Sequence, residues 1–334
     1  MGSIAPESST SQGRPYPPGI HVPSLTWFKD DPKQSIDWDV QEQHLEFLVR
    51  SGLHGIVIAG TNGEAATLEL DEKLELVRRT RSIGQKLGRP DLPITVGCNG
   101  GCTHAVIEDT KAAAGAGADF ALVLVPSYFH FAMSSDAIVS FFQETADQSP
   151  IPIVVYNFPG VVAGLDVNSE MLDVLGEHPN IVAVKLTCGG IAKVARAAAK
   201  FGAFGKTESQ GFRVLAGQSD WLVPALSVGG AGSVTGLANL YPKTCIEIYD
   251  LYMAGKREEA EKLQLELAKC EVGFGMGGIN GTKWVVARSL EYPESSSACR
   301  RPYPLFSDEK KKSWITAKVE VLKPIEASLT KAVK

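Results

Sequence analysis

The amino-acid sequence predicts an α/β protein built as a (β/α)8 TIM barrel with a C-terminal helical extension. Short apolar runs recur along the chain, each followed by a stretch with helical spacing. The runs are continuously apolar, as in IVIAG (56–60), FALVLV (120–125), IPIVVY (151–156) and IVAVK (181–185). Strands that alternate apolar and polar residues leave one face wet, whereas continuous runs mark a parallel sheet covered on both faces by crossover helices. Eight such runs, about 25–35 residues apart, match the usual barrel of about 250 residues. An open doubly wound sheet would need a GxGxxG after its first strand, and none is present there.

Taken in order, residues 1–19 are rich in Ser, Pro and Gly and almost free of large apolar side chains. They lack both the apolar core of a secretory signal and the repeated Arg of a transit peptide, so a disordered tail is expected. Strands are expected at Ile20–Thr26, Gly55–Ala59, Pro93–Gly97, Phe120–Val125, Ile151–Tyr156, Ile181–Lys185, Arg213–Ala216 and Gly232–Thr235. Trp38, Leu45 and Leu48 share one face of the first helical stretch, and Leu70, Leu74 and Val77 one face of the second. These elements place the barrel at residues 20–241 and a packed helical region at 242–334, with helices at Cys245–Met253, Glu258–Val272, Thr282–Leu290 and Asp308–Ser328. A glycine-rich stretch, Gly273–Gly281, separates two of them.

Composition narrows the function. The 334 residues are 44% hydrophobic and 21% charged with a net charge of −5, which offers no basic footprint for nucleic acid. No apolar run approaches the roughly 20 residues of a membrane span, so the expected partner is a small molecule. Six cysteines without a CxxC spacing read as reduced thiols of a cytoplasmic protein. Six histidines show no HxH or HExxH spacing, and no metal site is expected. Neither a GxSxG elbow nor a Walker A sequence occurs.

Active sites of such barrels lie at the C-terminal ends of the strands. Polar residues ending apolar runs are Thr61, Asn62, Tyr128, Tyr156, Lys185 and the segment Gln218 to Ser219 and Asp220. Side chains alternate across a strand, so Ile181, Ala183 and Lys185 are expected on one face and Val182 and Val184 on the other. If small Ala183 faces the crowded interior, Lys185 does too. Desolvation there favours a neutral amine, which attacks a ketone to form an imine, an electron sink for making or breaking a C–C bond. A lone lysine at a strand end more often snorkels to water. Here its neighbours matter. Tyr156 ends the preceding strand and can relay a proton, or it can simply plug the barrel mouth. Thr61 and Asn62, in GTNGE, form a glycine-flanked turn that suits a carboxylate but also suits a plain βα connection. Tyr128 ends a fourth strong strand and, taken alone, is another aromatic plug.

Together the motifs resemble the dihydrodipicolinate synthase/N-acetylneuraminate lyase superfamily of pyruvate-dependent class I aldolases. The resemblance runs from about Gly19 to the C-terminal helices and rests on GTNGEAATL (60–68), Pro126-Ser-Tyr128, YNFPG (156–160), VKLTCGG (184–190), LAGQSD (215–220) and GGAGSVTGLAN (229–239). It implies a Schiff base on Lys185 and a proton relay of Tyr156, Thr61 and Tyr128. It implies pyruvate-carboxylate binding at Thr61-Asn62 and a backbone contact at Val234. It also implies that no metal or organic cofactor is needed, and an assembly of two or four copies.

Two departures bear on the substrate. The loop after YNFP, Gly160–Gly164, lacks the Arg that dihydrodipicolinate synthases use for their second substrate. Thr187 matches the threonine of sialate lyases, yet Gln218-Ser219-Asp220 does not repeat their acidic polyol-binding pair. SPIPIVVY (149–156) and CRRPYPL (299–305) resemble 4-hydroxy-2-oxoglutarate and 2-keto-3-deoxy-sugar-acid aldolases. The expectation is therefore a Schiff-base aldolase releasing or using pyruvate, with substrate contacts from Thr61, Asn62, Thr187, Val234, Ser219 and Asp220 to a 2-oxo acid and an aldehyde. The alternatives are a 4-hydroxy-tetrahydrodipicolinate synthase or hydratase-aldolase of the same family, a catalytically silent 2-oxo-acid-binding barrel, and a metal-dependent aldolase.

Overall fold

A computed structural model of the chain describes residues 14–203 and 211–329. Eight parallel strands close into a barrel in sequence order: β1 (Gly19–Pro23), β2 (Gly55–Ile58), β3 (Ile94–Gly97), β4 (Phe120–Leu124), β5 (Ile153–Asn157), β6 (Ile181–Leu186), β7 (Arg213–Ala216) and β8 (Gly232–Val234), which pairs back onto β1. The outer ring is α1 (Trp38–Arg50), α2 (Leu70–Lys86), α3 (Thr103–Ala116), α4 (Ser135–Gln148), α5 (Ser169–Leu175), α6 (Ile191–Phe201), α7 (Leu222–Ser227) and α8 (Pro242–Met253). Since α8 packs on β1 and α7, it is the eighth barrel helix, and the barrel extends past residue 241 to Met253.

The continuous apolar runs follow from this closure, because every strand residue faces either the helices or the barrel axis. Outward side chains such as Ile56, Val96, Val123, Val155 and Val184 join the helices in one core. Inward ones, among them Val57, Phe120, Leu122, Val154, Ala183 and Leu215, form a second core along the axis. Burying each large side chain is worth about 1.5–3 kcal/mol. Tyr16 seals the N-terminal end of the barrel, edge-on to Phe120 at 4.8 Å with its hydroxyl 3.1 Å from Thr95 Oγ1. The disordered tail expected at residues 1–19 does not hold at Tyr16, which is fully buried, while residues 1–13 lie outside the described residues.

Two expectations about faces change. On β6, Ala183 and Lys185 do point inward, but Ile181 packs outward and Val182 inward. A register shift causes this: Ile153 of β5 pairs with Ile181 whereas the next residue, Val154, pairs with Ala183, so the extra residue turns the strand over. On α2 the buried residues include Leu76, Val77, Thr80 and Ile83, while Leu70 in the first turn is exposed.

The extension comprises α9 (Arg257–Ser289), α10 (Glu309–Val319) and α11 (Lys323–Ser328). The sequence places a break between helices at Gly273–Gly281. The chain does break there: within Arg257–Ser289 two helical stretches meet at a kink at Gly278 (φ 58°, ψ −164°). A packing reason for the neighbouring glycines is visible: a Cβ at Gly277 would lie 2.8 Å from Ile315 Cδ1 and one at Gly273 3.2 Å from Lys318 Cβ, so glycine lets α10 approach closely. Among the described residues no helix is long and apolar enough to cross a membrane.

Candidate active site

At the C-terminal mouth of the barrel lies a cavity of about 590 Å³. Lys185 enters it from the end of β6 and is 2% exposed. Its Nζ sits 4.2 Å from the centre of the Tyr156 ring, because Tyr156 and Lys185 are register partners on β5 and β6 and both face inward. The other buried lysine, Lys283, has a carboxylate at 2.7 Å; Lys185 has none among the described residues. Tyr156, itself buried, places its hydroxyl 3.1 Å from Thr61 Oγ1. A lysine, a phenol and a threonine hydroxyl from three strand ends thus form one connected group.

The turn after β2 supplies Thr61 and Asn62 to the same cavity. It is closed by the Glu64 amide donating to the Thr61 carbonyl at 3.0 Å, and Thr26 Oγ1 donates to the Gly63 carbonyl at 2.7 Å. Asn62 packs against the backbone after β8: a Cβ at Gly236 would lie 2.9 Å from its Nδ2. Thr187 lines the cavity with a buried Oγ1 that has no hydrogen-bond partner among the described residues. It lies so close to Gly217 that a Cβ there would fall 2.2 Å from that oxygen. Asp220 also lines the cavity, where loss of water pushes its carboxyl above the usual carboxylate range.

Two expected site residues, Ser219 and Tyr128, are placed otherwise. Ser219 is fully buried outside the cavity lining; its amide donates to Glu271 Oε2 at 2.8 Å, its hydroxyl donates to the same oxygen, and Thr235 Oγ1 is 2.9 Å away. The polar groups expected to meet substrate at this position are thus engaged by a glutamate from α9. Val234 ends β8 with its side chain in the inner core, which leaves its backbone as the part that can meet a substrate, as expected of a backbone contact. Tyr128 is 84% exposed and stacks edge-on against Phe129 at 4.9 Å, so within one chain it does not join the Tyr156–Thr61 pair.

Sequence reasoning missed Glu271. Burial first, then the neighbouring Asp220, pushes its carboxyl up to about 7. Glu271 and Leu267, four residues apart, share the buried face of the helical stretch before the Gly278 kink, a spacing already present in the expected helix Glu258–Val272. Val272, Gly275, Met276, Gly278 and Ile279 then wall the cavity, so the glycine-rich stretch belongs to the site.

The dihydrodipicolinate synthetase family model matches residues 17–320. The chain belongs to that family. Within it, the chain is 39% identical over 320 residues to a Coccidioides immitis protein provisionally named 4-hydroxy-2-oxoglutarate aldolase, mitochondrial (94% of this chain, 98% of the relative). It is 38% identical over 279 residues to the L-threo-3-deoxy-hexylosonate aldolase of Hypocrea jecorina (83% and 88%). A crystal structure of a Coccidioides immitis protein, provisionally placed in the dihydrodipicolinate synthase family, superposes with a TM-score of 0.83 at 37% identity (94% and 98%). The family membership and the aldolase relatives make the chain an enzyme of the carbon–carbon lyase class. They favour the aldolase expectation over the synthase alternative, in line with the Arg-free Gly160–Gly164 loop.

Proposed function

We propose that the chain cleaves or forms the C3–C4 bond of a 4-hydroxy-2-oxo acid through an imine on Lys185, the substrate being a 2-keto-3-deoxy sugar acid or 4-hydroxy-2-oxoglutarate. The observation that carries this is a buried lysine without a carboxylate partner among the described residues, set over a tyrosine ring whose hydroxyl is bonded to Thr61. The carboxylate of the 2-oxo acid sits on the Thr61-Asn62 turn. Nζ attacks C2 and water leaves, giving a protonated imine. Tyr156 takes the C4 hydroxyl proton, with Thr61 holding the phenol in place. As the C3–C4 bond breaks, its electron pair moves toward the iminium nitrogen; an aldehyde departs and an enamine remains. Protonation at C3 and addition of water then release pyruvate and free the amine.

Tyr128 can join this relay only from a second copy. Tyr128, Phe129 and Phe131 form an exposed aromatic cluster of the kind that marks an interface, and the proposed assembly is a homodimer or homotetramer, checked by sedimentation. All six cysteines are free thiols, which fits a reducing compartment. The cytosol is the proposed one; the Coccidioides immitis relative carries "mitochondrial" in its name, and cell fractionation decides between them.

Incubation with pyruvate and borohydride tests the chemistry. A pyruvate-sized mass added at Lys185, and absent in Lys185→Ala, is expected. An unmodified Lys185 peptide from active protein sinks the imine. Pyruvate release across 2-keto-3-deoxy sugar acids and 4-hydroxy-2-oxoglutarate then ranks the substrates.

A further inference from the structure

Glu64, the last residue of the carboxylate-binding turn, holds a left-handed backbone (φ 57°) that residues with a Cβ rarely adopt. What holds it there comes from the far end of the chain. Lys283 on α9, 219 residues away, places Nζ 2.7 Å from Glu64 Oε1, and both side chains are out of water (0% and 2% exposed). The Arg300 amide donates to the other oxygen, Oε2, at 2.8 Å. The remaining contacts of Lys283 fix the ammonium itself: it donates to the Ala298 carbonyl at 2.6 Å and lies 4.3 Å over the Phe28 ring. On the barrel side, the Glu64 amide closes the turn on Thr61, whose hydroxyl meets Tyr156.

We propose that Lys283 is a positioning residue: its buried ion pair with Glu64 sets the geometry of the Thr61-Asn62 turn, so the C-terminal extension shapes the 2-oxo-acid site as well as walling it. A buried ion pair is often replaceable by apolar groups without loss of stability, because desolvating two charges offsets most of their attraction. Stability alone is thus a weak reason for placing one here. Geometry is a stronger one, since each end is held by directional bonds and the turn it anchors supplies both a relay hydroxyl and the carboxylate contact. Displacing a substrate-positioning group by about 1 Å can cost on the order of 100-fold in rate.

The proposal rests on the imine reading, and the test separates the two. Wild type is compared with Lys283→Met, Glu64→Gln and the double variant Glu64→Gln/Lys283→Met. Each is assayed for thermal midpoint, kcat, KM and the pyruvate concentration that half-saturates borohydride trapping at Lys185. Lys283→Met leaves a lone buried carboxylate and is expected to lower the midpoint. The double variant removes both charges and recovers the midpoint, yet its half-saturating pyruvate concentration stays about 10-fold above wild type, with kcat also reduced. A double variant that traps pyruvate like wild type overturns the proposal. So does one that cannot fold, because the pair is then scaffolding for the whole chain. Should wild type itself fail to trap pyruvate, the imine reading falls, whatever the variants do.

Discussion

Replacing Tyr156 with Phe removes one oxygen and keeps the ring that lies against Lys185. The packing cost is small. The ring stays buried in the inner core, and the lost partner, Thr61 Oγ1 at 3.1 Å, belongs to a residue lining the cavity, where water can reach it. One neutral hydrogen bond is worth about 1 kcal/mol net, which lowers the thermal midpoint by only a few degrees in a barrel of this size. The catalytic cost is much larger if the phenol carries the C4 hydroxyl proton. Positioned general acid–base groups contribute about 10²- to 10⁴-fold, or roughly 3–5 kcal/mol of barrier. Thr61→Val, which removes the other end of the same bond, acts through Tyr156. The double variant is therefore expected to cost no more than Tyr156→Phe alone, as with residues that work as a unit. The assay is pyruvate release, followed by NADH oxidation through lactate dehydrogenase, on a sugar-acid substrate and on 4-hydroxy-2-oxoglutarate. A Tyr156→Phe enzyme within tenfold of wild type, or strictly additive losses in the double variant, refutes the relay.

Glu271→Gln probes a buried carboxyl raised to about 7. Its folded value lies above the ordinary carboxylate value, so ionising it in the folded protein costs stability as pH rises from about 4.5 through 7, on the order of 3 kcal/mol once complete. The variant should gain on wild type across that window in thermal midpoint; parallel pH profiles would discount the burial argument. Burial holds His44 at about 4, so the stability gained by keeping it neutral is full above about 6.5 and lost as pH falls toward 4. His44→Asn is expected to flatten acid destabilisation between pH 6.5 and 4, and an unchanged slope counts against it. Gly217→Ala pushes a methyl to 2.2 Å from Thr187 Oγ1 and 2.5 Å from Thr187 Cα, beside the end of β6. A loss of about 1–3 kcal/mol and at least tenfold in kcat is expected; Gly115→Ala, with open space around its Cβ, is the matched control, and equal behaviour of the two refutes the steric account.

Much of this is legible in the chain itself, for a local reason. Strand burial on both faces writes continuous apolar runs, and a polar residue at the end of such a run points to the barrel mouth, so Lys185, Tyr156, Thr61 and Asn62 are visible without coordinates. Periodicity is also where local reasoning fails. A single register shift between β5 and β6 reverses Ile181 and Val182.

What the sequence by itself determined was the fold class and the strand-end lysine, tyrosine and threonine, because these depend on contacts within one βα unit or between neighbouring units. Only the tertiary structure decided that Ser219 serves Glu271 rather than the cavity, that Tyr128 faces outward, and that Lys283 reaches Glu64. The two pairings join residues 52 and 219 positions apart in the chain. No periodicity links such positions; they meet because the extension folds back across the barrel mouth, where a buried charge must find a partner.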